Sequence, residues 1–217
     1  MRKIMIFVFL FLLVNGKPNF SMAQNLVDKR VEAMHIEELG ISGVLREVSK
    51  QTNLTIGLEM DLIIGKEKRI SFDFHGGTVA DLANLCTSLL QGASWRIVDG
   101  RSIVISQPGK ALLLAELPIE FSGVINATRR QIWFDLMWSD LSNHPEIEGW
   151  LRSENCRRLA LLGGHEWQGD SQSISIPKGM ISLEHLLAVA AESSDVHYWS
   201  VLKNTREEQC EIILTLW

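Results

Sequence analysis

Hydrophobic and polar residues follow the same succession of patterns twice along this chain. Each time, a stretch that alternates with a period of two is followed by a helical period and then by two short alternating stretches. These patterns predict strand, helix, strand and strand at 70–74, 78–90, 95–98 and 102–105. The same order returns at 174–176, 182–192, 198–202 and 211–216. We interpret the repetition as an internal duplication; the alternative is the chance recurrence of a common unit.

A shorter strand–helix–strand pattern precedes each unit. In the first half its elements are predicted at 29–36, 43–51 and 54–58. In the second half a helix begins at Thr128 and a strand covers 156–162. These elements predict an α+β fold in which β-α-β and β-α-β-β units pack helices on short sheets.

The chain is therefore expected to contain two small tandem domains, residues 24–107 and residues 112–217. Pro108, Gly109 and Lys110 interrupt the pattern between them. Residues 108–111 are the predicted linker.

Helix ends carry recognisable signals in the first half. Ser42 is the predicted N-cap of the helix over 43–51, and Asn53 is expected to end it. Thr78 and Asp81 have the spacing of a capping box, with Asp in place of the usual Glu.

The first 23 residues have the composition of a signal peptide. Arg2 and Lys3 precede an apolar run from Ile4 to Val14, and Ser21-Met22-Ala23 supplies small residues for cleavage before Gln24. The run is shorter than the roughly 20 residues that span a bilayer. We expect a periplasmic or secreted protein; the alternative is an uncleaved anchor.

Net charge narrows the range of partners. Cleavage after Ala23 would remove three of the 21 basic residues and none of the 26 acidic ones, which leaves a net charge near −8. Nucleic acids and anionic lipids bind basic surfaces, so neither is an expected partner.

Three cysteines are present, and their positions differ in character. Cys86 falls on the apolar face of the helix over 78–90, where a thiol packs as a small hydrophobe. Cys156 and Cys210 both begin predicted strands and could form a disulfide in an oxidising compartment, although spacing alone does not establish the pairing.

Residues 29–107 resemble the short N-terminal domain of secretins and TonB-dependent receptors, the STN domain. The resemblance rests on the helix and strand over 43–56, the strand over 68–74, the start of the second helix at 78–85 and the closing hairpin over 95–105. A weaker resemblance covers 169–217. These segments describe packing and contain no catalytic residue of the family.

The resemblance implies an interaction module in the bacterial envelope. Domains of this family stand in front of outer-membrane channels and signalling receptors, where they contact other envelope proteins. We therefore expect a non-enzyme without a cofactor, whose partner is an outer-membrane channel, a receptor or a regulator. A homodimer also fits the pattern.

The helix that begins at Thr128 has an unusually wide apolar arc. Its hydrophobic residues cover roughly 240° of the helical wheel, where a surface helix needs little more than 100°. The arc can pack entirely in the core of the second domain; the alternative is that part of it stays exposed and binds a partner, because Trp is favoured at interface centres. The predicted contact residues are Arg130, Trp133, Phe134, Met137 and Trp138. An exposed edge at 211–216 offers a second route to a partner, by strand addition.

Two other classes of function stay open. A small hydrolase or a metal-dependent enzyme could use His75, His165 and Glu166, if the fold brought these turn residues together. A glycan-binding or cell-wall-binding protein would present tryptophan rings on an open surface. No set of residues has the spacing of a zinc site or a phosphate-binding loop.

Overall fold

A computed structural model describes residues 25–62, 68–107, 115–121, 141, 144–163, 179–192, 197–206 and 209–216. The predicted signal peptide with its cleavage site and the predicted linker at 108–111 lie outside these ranges. Both stay predictions.

The described residues form helices and strands in an α+β arrangement, as the sequence predicts. The helices are α1 Ile41–Thr52, α2 Val79–Ser88, α3 Pro145–Ser153 and α4 Leu183–Glu192. The strands are β1 Arg30–Val31, β2 Met34–Leu39, β3 Thr55–Leu62, β4 Ile70–Phe74, β5 Gly77–Thr78, β6 Ser94–Val98, β7 Ser102–Ser106, β8 Pro118–Phe121, β9 Cys156–Gly163, β10 Gly179–Ser182, β11 Tyr198–Arg206 and β12 Gln209–Leu216.

One six-stranded sheet runs through both halves of the chain, in the order β6-β7-β3-β11-β12-β9. The halves meet where β3 pairs with β11 in parallel, from Ile56 opposite Tyr198 to Leu62 opposite Asn204. Strands β7, β3 and β11 are parallel to one another, and β6 and β12 are antiparallel to their hairpin partners. The halves therefore do not form separate sheets; they complete a common one.

Each half contributes its strands in the same way. In the first half β2 pairs with β4, and β3 joins the hairpin β6–β7. In the second half β8 pairs with β10, and β9 joins the hairpin β11–β12. The strand pairing of the first half thus recurs in the second half. The helix predicted from Thr128 and the strand predicted over 174–176 lie outside the described ranges. That the recurrence arose by duplication stays a prediction.

Helices cover both faces of the large sheet, and each covering layer comes from one half. Helices α1 and α2 enclose a core that includes Tyr198, Leu202 and Ile213 from the second half. The core beneath α3 and α4 in turn includes Val98 and Val104 from the first half. Each half therefore completes the hydrophobic core of the other.

Two of the predicted helix-end signals are confirmed. Asn53 ends α1 in the left-handed conformation, with φ of 54°. The Thr78 side chain accepts from the backbone N–H of Asp81, and the Asp81 carboxylate accepts from that of Thr78. The hydrogen bond from the Thr78 backbone lowers the pKa of Asp81 below its usual value.

The predicted N-cap at Ser42 is wrong. Helix α1 begins after Gly40, which provides no side-chain cap. The Ser42 hydroxyl instead forms a 2.8 Å hydrogen bond with the hydroxyl of Tyr198, on the first residue of β11. A tertiary contact with the second half therefore occupies the side chain that local sequence assigned to capping.

The predicted exposed edge at 211–216 is also wrong. Strand β12 covers these residues and lies inside the sheet, between β11 and β9. Its residues Ile212, Leu214 and Leu216 belong to the core beneath α3 and α4. Within the described ranges, the outer strands of the large sheet are β6 and β9. In the same ranges, no helix combines the length and the hydropathy needed to cross a membrane.

Candidate functional site

A glutamate occupies the centre of an otherwise apolar region of β3. Glu59 lies between Leu58 and Met60, and its side chain is 0% exposed. Successive side chains of a strand point to opposite faces, so Glu59 faces α4 while its two neighbours face α1 and α2. Burial of an ionised carboxylate is costly unless it is paired and hydrogen-bonded.

Arg96 and Ser106 supply those hydrogen bonds. The two terminal nitrogens of Arg96 donate to the two carboxylate oxygens of Glu59, at 3.1 and 3.2 Å. The Ser106 hydroxyl donates to one of the same oxygens at 2.7 Å and accepts from Arg96 at 2.5 Å. Both oxygens of Glu59 therefore have protein donors, in the bidentate geometry that favours Arg over Lys.

A second carboxylate reaches the same guanidinium from the other half of the chain. Glu184, in the first turn of α4, accepts a hydrogen bond from Arg96. The Arg96 side chain is 32% exposed and that of Glu184 is 13% exposed. We call Glu59, Arg96, Ser106 and Glu184 the Arg96 cluster. Burial raises the pKa of Glu59, against the opposing effect of the Arg96 hydrogen bonds.

Two more charge contacts join α4 to the β6–β7 hairpin. The hairpin turn contains Asp99 and Gly100, both with positive φ, as a type I′ turn requires. His185 contacts the Asp99 carboxylate, and Arg101 lies 3.7 Å from Glu192. Helix α4 is therefore attached to the hairpin at its first residues and at its last.

Further along the same face, a lysine and a disulfide lie near the end of the sheet. Lys203 of β11 is almost buried and lies 3.1 Å from Glu154, the residue that ends α3. The structure joins Cys156 of β9 to Cys210 of β12, with their Cα atoms 4.4 Å apart. The pairing that the sequence left open is thus present, between two directly paired strands.

The remaining cysteine is buried, as the sequence predicts. Cys86 lies in the core beneath α1 and α2, and burial raises the pKa of its thiol to about 12. A thiol with so high a pKa carries almost no thiolate at neutral pH, so Cys86 acts as a small apolar side chain.

Strand β6 leaves one side of its backbone without a strand partner among the described residues. The N–H of Gln107 donates to the C=O of Glu59. In β7, every second residue counted back from Gln107 therefore directs its backbone N–H and C=O groups towards β3. The backbone N–H and C=O groups of Val104 are consequently directed towards β6, and those of Arg96, which is paired with Val104, are directed towards β7. Trp95 and Ile97, the intervening residues of β6, direct their N–H and C=O groups away from the sheet.

A surface pocket of about 220 Å³ lies beside β1 and the end of α1. Its charged lining residues carry both signs, which favours neither an anion nor a cation. The residues around it include Lys29, Arg30, Glu32, Met34, Gln51 and Thr52.

Most of the candidate residues from the sequence lie outside the described ranges. This holds for the predicted contact residues Arg130, Trp133, Phe134, Met137 and Trp138, and for His165 and Glu166. His75 is exposed next to β4. Within the described ranges, no group of three His, Cys, Asp or Glu side chains could hold a metal ion. Of the described tryptophans, Trp199 and Trp150 are buried and Trp95 is half-buried.

The Arg96 cluster was not found by sequence reasoning, although a signal for it was present. Arg96 interrupts the predicted strand over 95–98, and Glu59 directly follows the predicted strand over 54–58 and precedes Met60. A charge beside such apolar residues must find a partner if the strand is buried. Only the fold identifies the partner, because Arg96 lies 37 positions from Glu59 and 88 positions from Glu184. Comparison with profiles of known protein families, with curated proteins and with solved structures gives no match.

Proposed function

We propose that this protein is a non-catalytic protein–protein interaction module of the bacterial envelope, and that the outer edge of β6, which has no strand partner among the described residues, binds an extended segment of its partner. The envelope location follows the signal-peptide pattern and the resemblance to the STN domain. The partner is accordingly an outer-membrane channel, a receptor or a regulator. A peptide that adds a strand to a sheet edge gains affinity from main-chain hydrogen bonds and specificity from alternate side chains.

The observation that carries this proposal is the orientation of Trp95 and Ile97. Their outward N–H and C=O groups can pair with a seventh strand added to the sheet by the partner. The hairpin that contains them is held by the β3–β7 pairing and by the Arg96–Glu184 contact to α4. Trp95 is fixed in place, since its indole N–H donates to Asn84 of α2 at 2.8 Å. A pre-organised edge binds with a smaller loss of conformational entropy.

The saturation of the Arg96 cluster supports a structural role for its charges. Glu59 is inaccessible, and both of its oxygens already accept hydrogen bonds within the protein. A general base needs an oxygen within hydrogen-bond reach of its substrate. The cluster instead fixes the position of β6, the strand whose outer edge is the proposed binding site.

The test compares two substitutions at one edge position. Ile97→Pro removes the outward N–H of Ile97, whereas Ile97→Ala shortens the side chain and keeps that N–H. Residues 24–217 of each form are immobilised and exposed to envelope extract, after circular dichroism and thermal unfolding have shown that the variants fold. We expect a specific envelope protein to bind the wild type and Ile97→Ala, and binding to Ile97→Pro to fall at least tenfold.

Hydrogen exchange then locates the contact on the wild-type protein. The amides of Trp95 and Ile97 should exchange rapidly in the free protein and slow down in the complex. Equal binding by both folded variants, or slowed exchange only elsewhere, would exclude the β6 edge as the interface. A Trp133→Ala/Trp138→Ala variant tests the aromatic arc as the other surface: its selective loss of binding would place the interface there.

A further inference from the structure

Two carboxylates in the Arg96 cluster share a single positive charge. Glu59 is enclosed on β3, and Glu184 approaches from α4 and accepts from a terminal nitrogen of Arg96 that also donates to Glu59. Among the described residues, Arg96 is the one basic side chain in contact with either carboxylate. With both carboxylates ionised, the cluster therefore has a net negative charge, and its two carboxylate side chains are largely buried.

The other charged groups around the cluster are already engaged. On β11, Lys203 pairs with Glu154, and Asp61 of β3 lies opposite it in register. On α4, His185 contacts Asp99 of the hairpin. Strand β7 contributes Ser106, whose hydroxyl does not titrate in this range. None of these groups supplies a second cation to Glu59.

We propose that the Arg96 cluster is a proton-linked clamp, in which Glu59 takes up one proton on mild acidification and leaves Arg96 paired with Glu184 alone. The proton comes from solvent and binds a carboxylate oxygen of Glu59. The new O–H can donate to Ser106, because a hydroxyl oxygen has two lone pairs. The remaining one-to-one ion pair then holds α4 against β6, so the contact between the halves strengthens as pH falls.

The direction of the pH effect follows from the burial of Glu59. Burial favours the neutral carboxyl group, which raises the pKa of Glu59 in the folded protein above its unfolded value. Stabilisation from this group is complete below the unfolded pKa and is lost as pH rises through the folded pKa. This dependence is opposite to that of a carboxylate whose pKa the fold lowers.

Glu59→Gln imitates the protonated carboxyl group and provides the first test. Thermal unfolding of residues 24–217 is followed between about pH 4.5 and about pH 7.5, a range that covers a raised glutamate pKa. We expect the melting temperature of Glu59→Gln, relative to wild type, to rise by several degrees across this range. The control is Glu32→Gln at an exposed position, whose difference from wild type should stay flat. A flat or falling difference for Glu59→Gln would overturn the proposal.

Carbon-13 NMR of the side-chain carboxyl groups provides a second test that needs no variant to fold. In the wild-type protein, the Glu59 signal should titrate at higher pH than the carboxyl group of a free glutamate side chain. The α4 amides, after correction for the intrinsic pH dependence of exchange, should become more protected below that midpoint, because Arg96 is then paired with Glu184 alone. Titration of Glu59 at or below the pH at which a free glutamate side chain titrates would show that the clamp does not exist.

Discussion

The indole ring of Trp199 occupies the space in which a side chain on Gly57 would begin. A Cβ atom built on Gly57 would lie 2.2 Å from Cζ2 of Trp199, far inside van der Waals contact. The two residues are opposite each other in the parallel pair that joins β3 to β11. The absence of a side chain at Gly57 thus permits the largest buried side chain of the second half to pack over the junction.

Gly57→Ala should therefore destabilise the protein. The added methyl group must displace a fully buried ring, and we expect the free energy of unfolding to fall by about 3 kcal/mol. Urea unfolding monitored by tryptophan fluorescence measures the change. Trp199→Leu should relieve the clash, so that Gly57→Ala costs clearly less in that background. Additive effects of the two substitutions would contradict the proposed clash.

Removal of the guanidinium should cost more than neutralisation of the carboxylate it binds. Arg96→Met leaves Glu59 buried without a cation, and such a loss costs on the order of 3 kcal/mol. Glu59→Gln leaves Arg96 paired with Glu184 and should be milder at neutral pH. Chemical unfolding of the two variants at one pH gives the comparison. The reverse order would mean that Glu59, and not Arg96, is the critical member of the cluster.

The disulfide should stabilise the edge of the sheet that lies farthest from β6. Cys156 and Cys210 are separated by 54 positions, and closure of a loop of that length contributes about 4 kcal/mol by the chain-entropy relation. Cys156→Ser/Cys210→Ser should therefore unfold at lower urea concentration than wild type. A reducing agent should destabilise the wild type and leave the double variant unchanged. Cys86→Ala, which keeps the disulfide, should retain the sensitivity to reduction.

Residues 24–107 should not form a stable domain on their own. Without β11, one side of β3 is exposed, and the core beneath α1 and α2 loses Tyr198, Leu202 and Ile213. We expect the isolated fragment to lack a cooperative thermal transition. Coexpression with residues 112–217 should restore folding through a non-covalent complex. A cooperatively folded, soluble 24–107 fragment would support the two-domain division predicted from the sequence.

Local structure could be predicted from the sequence because its causes are local. The capping box of Thr78 and Asp81, the left-handed Asn53 and the Asp99-Gly100 turn each depend on a few consecutive residues. The strands of both hairpins were also located within a few positions of their observed ends. These signals are sufficient for the α+β class.

The junction and the candidate site depend on pairings between residues far apart in the chain. Nothing in the pattern of β3 or β11 specifies that each pairs with the other, because the apolar residues of each strand suit any buried neighbouring strand. The prediction for 211–216 failed for this reason: alternation identifies a strand and does not reveal its neighbours. Ser42 was assigned to capping because its contact with Tyr198 is a property of the assembled fold.

The parallel pairing of β3 with β11 also has a kinetic consequence. Ile56 must find Tyr198, about 140 residues later in the chain, before the centre of the sheet exists. Closing so long a loop loses chain entropy before the contacts that stabilise the pair can form. Folding is therefore slower than in proteins whose strands pair with near neighbours in sequence. Synthesis from the N-terminus leaves the edge of β3 unsatisfied until the last strands are complete. Protection of that edge in the nascent chain, against aggregation through exposed strands, is therefore a requirement of this topology.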